Sequence, residues 1–405
     1  MSSEKWEKYK LGDVLKVKHG FAFKGEHFTE EPNLNILLTP GNFRVGGGFK
    51  GDKFKYYQGD FPKEYILKEG EVIVTMTDLS RDGDTLGYSA KIPYSHNTRY
   101  LHNQRLGLLQ FLPGDFDKDF IYWLLRTKDY QEFIVSSATG STVKHTSPSR
   151  IEEYEFSCPS LPSQRRIAAI LTVLDDKIEL NRRINETLEG IAQAVWGEWF
   201  GKYASGEVEL PEGWRWGNIL EIAKLIGGGT PKTEIGKYWG GDIPWISAKD
   251  ITPNNRSVII ETEKSITQEG LKNSSAKLLP ALSTIISARG TVGNFCLIPS
   301  EMTISQSNYA LKSVVQNTDF FLFQQVANLV SEMQQKSYGT VFDTITTKTF
   351  SEIEIPIPPV SKMVAFNETM RPVFEKRINN LQESRTLTAL RDELLPRLMR
   401  GELEV

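Results

Sequence analysis

The strongest constraint on the fold is an internal repeat, because the same short motifs occur twice in the same order. Each series contains an apolar strand, a glycine turn, a second strand that stops at proline, and a polar turn. The first series is Ile73-Val74-Thr75, Gly83-Asp84-Thr85-Leu86-Gly87, Lys91-Ile92-Pro93 and Asn103-Gln104, and the second is Ile285-Ile286-Ser287, Gly290-Thr291-Val292-Gly293, Leu297-Ile298-Pro299 and Ser305-Gln306-Ser307-Asn308. Further matches, the last being Phe200-Gly201 with Arg400-Gly401, keep an offset of roughly 200 residues. The sequence therefore predicts a duplicated architecture.

Each half begins with a strand-rich part. Short apolar runs separated by Gly, Pro and Asn predict strands and turns in residues 1–158 and 202–355. Apolar residues at helical spacing, without a breaker, predict a helix over residues 120–133 and another over 320–333. These parts are predicted to be small α+β domains in which strands predominate.

Each half ends in a long amphipathic helix. Apolar residues recur at three- and four-residue steps in residues 159–201, with Ser163 as the predicted N-cap, and again in 356–405. Pro372 is expected to start or kink the main helix of the second segment. Because Asn181 and Arg385 fall near seam positions, a short imperfect coiled coil is the expected form.

The predicted fold class is α+β, with two similar strand-rich domains separated by two long antiparallel coiled-coil helices in a pseudo-twofold internal repeat. An apolar stripe as long as either helix cannot remain in water, and the other helix is its natural partner. The alternative is that each helix folds onto its own domain as a satellite element. The repeat favours the paired arrangement.

Charge and cysteine content exclude several classes of protein. Lys plus Arg number 48 and Asp plus Glu 51, so the formal net charge is −3, which argues against a protein that coats nucleic acid through bulk positive charge. Cys158 and Cys296 form neither a disulfide framework nor a thiolate zinc site. No apolar signal core or membrane-length apolar run occurs. A reducing cytoplasm is the expected compartment, without a membrane partner.

Motifs for catalysis are not found either. Gly236-Lys237 is followed by Tyr238, so no phosphate-binding loop of the GxxxxGK[ST] kind is present. Asn-Pro-Pro-Tyr and Asp-Pro-Pro-Tyr motifs for amino methylation do not occur, and the five histidines lack metal-ligand spacing. The chain is therefore predicted to be neither an enzyme nor a metal protein.

The chain resembles the specificity subunit of type I restriction-modification systems over essentially its whole length. The order domain–helix–domain–helix and a set of motifs carry the resemblance. The motifs are Leu161-Pro162-Ser163-Gln164-Arg165-Arg166-Ile167, Leu210-Pro211-Glu212-Gly213-Trp214-Arg215-Trp216, Gly228-Gly229-Thr230-Pro231, Ile243-Pro244-Trp245-Ile246-Ser247, Ser287-Ala288-Arg289-Gly290, Ile304-Ser305-Gln306-Ser307-Asn308 and the ending Leu390-Arg391-Asp392-Glu393-Leu394-Leu395-Pro396-Arg397-Leu398-Met399-Arg400-Gly401-Glu402. In the first half, Lys18-His19-Gly20-Phe21-Ala22-Phe23 stands where the second half has its glycine motif.

The resemblance implies a function and a set of partners. Residues 1–158 and 202–355 would be target recognition domains, each reading one half of a split, asymmetric site in double-stranded DNA. Residues 159–201 and 356–405 would be spacer helices that dock two modification (methyltransferase) subunits, to which restriction (motor-nuclease) subunits add. No cofactor is expected in this chain, whereas S-adenosylmethionine, ATP and Mg²⁺ are expected on the partner subunits.

Candidate DNA-binding residues are polar side chains on loops that glycine allows to approach a groove. In the first half they are Lys24, Thr75, Thr77, Arg81, Asn103, Gln104, Arg105, Thr142, Lys144 and His145. In the second half they are Thr230, Lys232, Ser247, Lys249, Arg289, Gln306, Ser307, Asn308 and Thr340. His102 could also touch phosphate or a base edge. The rival hypothesis is a tandem-domain scaffold that binds proteins or glycans without DNA specificity.

Overall fold

The computed structural model describes residues 6–80, 82–204, 206, 208–336 and 344–405, and of residues 332–336 only the backbone. The chain divides into two compact units. The first unit consists of Met1–Asp176 and Leu387–Val405, and the second of Lys177–Thr386. The helices α1 to α11 are, in chain order, Leu11–Val14, Lys118–Leu124, Lys128–Ser136, Pro148–Glu152, Leu161–Trp196, Lys202–Ala204, Ala248–Ile251, Gln268–Lys272, Asp319–Lys336, Thr347–Glu352 and Val360–Met399.

The strands of the first unit form two main sheets. The strands β1 to β13 are Glu7–Lys10, Leu15–His19, Phe28–Thr29, Asn35–Leu37, Lys55–Tyr57, Ile66–Leu67, Val72–Thr75, Thr77–Asp78, Ser89–Lys91, Arg99–Leu101, Leu106–Phe111, Lys144–His145 and Glu155–Cys158. One sheet has the order β2-β11-β7-β9 and the other β3-β5-β4-β10-β6. All four residues of the inner strand β7 are buried, which explains why Val72, Ile73 and Val74 are apolar without alternation.

The second unit repeats the main features of this topology. Its strands β14 to β23 are Arg215–Asn218, Ala223–Gly227, Trp239–Ile246, Ser257–Val258, Lys264–Ile266, Thr284–Ser287, Phe295–Leu297, Thr303–Ile304, Asn308–Ser313 and Glu354–Ile357. The sheet β15-β22-β19-β20 corresponds to β2-β11-β7-β9, and the parallel pair β16 and β21 corresponds to β4 and β10. The antiparallel pair β14 and β23 corresponds to β1 and β13. The predicted internal repeat is therefore confirmed.

The two long helices, α5 and α11, pack against each other within each unit. In the first unit, Ile167 and Leu171 of α5 share a hydrophobic core with Leu395 and Leu398 of α11 and with Trp123. The helix that follows the second strand-rich part therefore ends in the core of the first unit, contrary to the satellite alternative.

In the second unit, polar contacts give the direction of the pairing. Asn181 Nδ2 donates to Glu383 Oε2 at 2.8 Å, and Asn380 Nδ2 donates to Asn185 Oδ1 at 2.9 Å. From the first contact to the second, the residue number rises from 181 to 185 in α5 and falls from 383 to 380 in α11. The helices are therefore antiparallel there. Asn181 and Asn380 are fully buried, as expected of polar residues that fix the register of a helix pair.

Two local predictions about helices are wrong, and a third is wrong in part. The helix predicted over 120–133 is two helices, because Thr127 caps α3 through its hydroxyl, which accepts from Tyr130 N. Ser163 is not an N-cap, since α5 begins at Leu161. Pro372 does not start α11, which begins at Val360, and a kink at Pro372 stays a prediction; the proline lies on the exposed face, where water can satisfy the carbonyl that a proline leaves unpaired.

One further local prediction is confirmed. The helix predicted over 320–333 is α9. Trp196 and Phe200 pack against Phe321 and Phe366 in the core of the second unit. Within the described residues, no helix combines the length and hydropathy that crossing a bilayer requires.

Candidate nucleic-acid interface

In the first unit, a tight turn joins β10 to β11 and carries three of the predicted DNA-binding residues. We call residues 102–106 the first turn. Leu106 N donates to Asn103 O at 2.9 Å, Arg105 N donates to Asn103 Oδ1 at 2.9 Å, and the His102 ring bonds Leu106 O through Nε2 at 2.9 Å. Gln104 and Arg105 are exposed. The turn is thus closed by its own polar groups, and two side chains remain available to a ligand.

Two other segments lie against the first turn. Met76 N donates to Arg105 O at 2.9 Å, and Met76 O accepts from Thr146 N at 3.0 Å. The short pair β8 and β12 then places Thr77 opposite His145, whose Nδ1 lies 3.2 Å from Thr77 Oγ1. The structure therefore brings together the predicted residues on three separate segments, around positions 75–77, 103–105 and 144–145.

The second unit has a turn at the same place, between β21 and β22. We call residues 304–308 the second turn. Asn308 N donates to Ser305 O at 3.1 Å, and Asn308 Nδ2 donates to Ser305 Oγ at 2.9 Å. Ser307 Oγ lies 3.0 Å from Ser305 Oγ, and Gln306 is exposed. Side-chain hydrogen bonds again hold the backbone of the turn and leave one carboxamide facing outward.

Three other predicted residues of the second half, Ser247, Thr230 and Arg289, follow segments that flank the second turn. Ser305 N donates to Ile246 O at 2.9 Å, directly before Ser247. Gly229 N donates to Ile304 O at 2.9 Å, directly before Thr230, and Ala288 N donates to Ser307 O at 3.0 Å, directly before Arg289.

The two turns have matching main-chain environments. Gly20 N donates to Leu106 O at 3.3 Å, and Gly228 N donates to Asn308 O at 3.3 Å. Four further main-chain hydrogen bonds of the first unit have a counterpart in the second. In the first unit they run from Phe21 N to His102 O, Leu106 N to Asn103 O, Met76 N to Arg105 O and Thr146 N to Met76 O. In the second unit their counterparts, in the same order, run from Gly229 N to Ile304 O, Asn308 N to Ser305 O, Ala288 N to Ser307 O and Ile345 N to Ala288 O. Gln104 and Gln306 are therefore equivalent positions.

A glycine packs against each turn at a distance that no side chain allows. A β-carbon on Gly20 would lie 2.1 Å from Asn103 O, and one on Gly228 would lie 2.0 Å from Ser305 O. Asn103 and Ser305 are themselves equivalent, so the same close approach of two backbones occurs in both units. The glycine motif in the second half and Gly20 in the first are explained by this contact.

The predicted residues differ in exposure. Exposed members are Lys24, Gln104, Arg105, Thr142, His145, Lys232, Lys249, Arg289 and Gln306. Partly buried members are Lys144, Thr230, Ser247 and Ser307, and buried members are Thr75, Thr77, Asn103 and Asn308. The buried side chains serve their own unit, as Asn103 and Asn308 do in closing the turns. Arg81 and Thr340 lie outside the described residues.

Four of the exposed predicted residues lie on segments outside residues 102–106 and 304–308. Lys24 Nζ lies 4.0 Å from Glu26, and Lys249 Nζ lies 4.0 Å from Glu263. Thr142 is in the loop between α3 and β12, and Lys232 accepts a hydrogen bond at its carbonyl from Trp239 Nε1. DNA contact by any of these residues remains a prediction.

The chain matches the family model described as type I restriction modification DNA specificity domain twice, over residues 3–190 and 211–386. The chain belongs to this family. It is 27% identical to the HindI specificity subunit of Haemophilus influenzae over 98% of this chain and 99% of that one. It is 28% identical to the MjaIX specificity subunit of Methanocaldococcus jannaschii, covering 89% and 91% of the two chains.

A solved structure has a similar fold. The type I restriction-modification S subunit from M. genitalium aligns over 98% of this chain and 97% of that one, with a TM-score of 0.59 and 17% sequence identity. With this family membership, the chain has the function of a type I restriction-modification specificity subunit.

Two residues that shape the candidate interface were not among the predicted ones. Trp245 Nε1 donates to Gly229 O at 3.0 Å and so holds the glycine segment beside the second turn. Asp78 accepts from Ser80 N at 2.7 Å and from Thr85 Oγ1 at 2.7 Å. Burial raises the pKa of Asp78, but the hydrogen bonds from Ser80 and Thr85 outweigh it and keep the pKa below its ordinary value. The contact between Trp245 and Gly229 spans 16 residues, and no spacing rule indicates it.

His102 supports the first turn rather than DNA. It is fully buried, and since Leu106 O can only accept, Nε2 carries the proton. Burial, assisted by Lys18 and His19, lowers the pKa of His102 from 6.5 to about 4, although the bond to Leu106 O opposes the change. The expectation that His102 touches phosphate or a base edge is wrong, because the ring has no surface to offer.

Acidification from pH 6.5 to pH 4 is expected to destabilise the first unit through His102. In this window the histidine is protonated in the unfolded chain but neutral in the folded one, so its contribution is complete above pH 6.5 and is lost as pH falls toward 4. The loss approaches about 3 kcal/mol. His102→Gln keeps an N–H donor that does not titrate. The unfolding free energy of wild type should therefore fall more steeply than that of His102→Gln as the pH is lowered from 6.5 to 4. Parallel curves for the two proteins would contradict the assignment.

Proposed function

We propose that this specificity subunit reads a bipartite, asymmetric DNA site, with one half-site bound by each strand-rich domain. The observation that supports the proposal is the equivalence of the two turns, which present different side chains on the same main-chain scaffold. Equivalent scaffolds suit one kind of ligand, and different side chains suit two different base sequences. Direct readout needs only a few donors and acceptors at the base edges.

The charge of the chain suggests that DNA binding requires partner subunits. Phosphate contacts supply most of the non-specific affinity of DNA-binding proteins, and this chain has a net charge of −3. Two modification (methyltransferase) subunits are the proposed partners, because a repeated chain offers two equivalent docking surfaces. Restriction subunits would add to that core. S-adenosylmethionine, ATP and Mg²⁺ would then bind to the partner subunits, and this chain would be non-catalytic.

Selection from random duplexes tests the proposal. The full chain, assembled with its modification subunits, should enrich DNA with two short conserved blocks separated by a fixed number of unconserved base pairs. Native mass spectrometry of the same assembly should give two modification subunits per chain. A single continuous block, or no enrichment at all, would contradict the proposal. The second of these outcomes is the one expected of a scaffold that binds proteins or glycans.

A further inference from the structure

One exposed side chain is the same in both turns. Gln104 and Gln306 each follow the residue whose carbonyl touches the packed glycine, and both are exposed. Within the described part of the chain, neither carboxamide has a hydrogen-bond partner. The turns are therefore built to hold these two side chains outward rather than to use them internally.

The positions around the two glutamines are different. Arg105 in the first turn corresponds to Ser307 in the second, as the matching bonds from Met76 N and Ala288 N show. The residue after Met76 is Thr77, whereas the residue after Ala288 is Arg289. If the half-sites differ in sequence, exposed residues such as Arg105 and Arg289 have different bases to contact. A side chain that is identical in both turns instead suits a base that both half-sites share.

On the basis of the proposed function, we propose that Gln104 and Gln306 each bind the major-groove edge of an adenine present in both half-sites. A carboxamide has one donor group and one acceptor, which match adenine N7 and the N6 amino group in a bidentate contact. A phosphate would use only the amide N–H groups and leave the carboxamide oxygen unpaired. A glutamine is also neutral, so it gains none of the charge attraction that makes lysine and arginine phosphate binders.

The test replaces single adenines of the selected site by 7-deazaadenine, which lacks the N7 acceptor but still pairs with thymine. Affinities are measured with the full chain and its modification subunits. For wild type, one adenine in each block should be sensitive, with a loss of about 5- to 150-fold. Gln104→Ala should bind natural DNA with a similar loss and should become insensitive to 7-deazaadenine in one block only. Gln306→Ala should do the same in the other block.

The double comparison separates this contact from other ones. A loss caused by a partner subunit that touches the same adenine persists in the variants, whereas a loss caused by the glutamine disappears. Gln110→Ala and Gln268→Ala are matched controls, because both glutamines are exposed and lie outside the turns. They should leave affinity and base sensitivity unchanged.

Two outcomes would overturn the inference while the proposed function stands. In one, each glutamine variant weakens binding but every adenine keeps its wild-type sensitivity, as a phosphate contact would give. In the other, the variants bind as wild type does. Failure of the proposed function is distinguishable, because then wild type enriches no bipartite site and the substitution series cannot begin.

Discussion

Gly20→Ala and Gly228→Ala are each expected to destabilise their own unit by at least about 3 kcal/mol, the upper end of the usual cost of overpacking. The new β-carbon would lie 2.1 Å from Asn103 O in one case and 2.0 Å from Ser305 O in the other. Those atoms belong to the backbone, so rotation of a side chain cannot relieve the clash. The turn itself must move, and the side chains it presents move with it.

Hydrogen exchange measures this effect for each unit separately, because it reports local opening free energies. Gly20→Ala should accelerate exchange in the first unit, and Gly228→Ala in the second. Gly25→Ala and Gly236→Ala are matched controls, since an added β-carbon meets nothing within 4 Å at either position. Their effect should stay within about 0.5 kcal/mol. If the two control variants were as destabilised as Gly20→Ala and Gly228→Ala, the close contact between each glycine and its turn would not constrain the turns.

Arg126→Met is expected to destabilise the first unit by about 3 kcal/mol, the lower end of the cost of breaking a buried ion pair, because the Asp175 side chain is 27% exposed. The Arg126 side chain is 3% exposed and lies 3.0 Å from Asp175 of α5. It donates to Gly46 O at 2.9 Å and to the Tyr122 hydroxyl at 2.8 Å, and it lies 4.3 Å from the centre of the Trp123 ring. Methionine fills part of the space but satisfies none of these polar groups.

In Arg126→Met, the Asp175 carboxylate loses one of its two arginine partners but keeps the desolvation cost of its burial. Burial raises its pKa, but Arg126 and Arg391 together hold that pKa below its ordinary value. Arg165→Met is the control, because Arg165 is 67% exposed and 3.9 Å from Asp117, a geometry worth less than about 1 kcal/mol. Denaturant titration of both variants checks the contrast. A stability of Arg126→Met close to that of wild type would mean that Arg391 alone satisfies Asp175.

The duplicated architecture could be predicted because it depends on order along the chain. Apolar runs, glycine turns and helical stripes repeat in sequence, and each is a local signal. Local capping was harder to predict: the hydroxyl of Thr127 divides a helix that has an uninterrupted apolar pattern. The helix start predicted at Pro372 is wrong for the opposite reason, since a helix tolerates proline where water can reach the freed carbonyl.

The candidate interface could be predicted only in part. Polar residues near glycine turns are visible in the sequence, but their exposure is decided by partners far along the chain. Met76 joins Arg105 to Thr146 through two hydrogen bonds, and no spacing rule indicates such a contact. For the same reason Thr75 and Asn308 could not be separated from Gln104 and Gln306, although the first two are buried and the last two exposed.

Exchange of Arg105 and Ser307 tests most directly whether each turn reads its own half-site. Selection from random duplexes is repeated with Arg105→Ser and, separately, with Ser307→Arg, each assembled with the modification subunits. Each substitution should change the preferred bases in one block, a different block for each variant, and leave the other block and the spacer as in wild type. A change in both blocks from one substitution, or in neither block from both, would contradict the account.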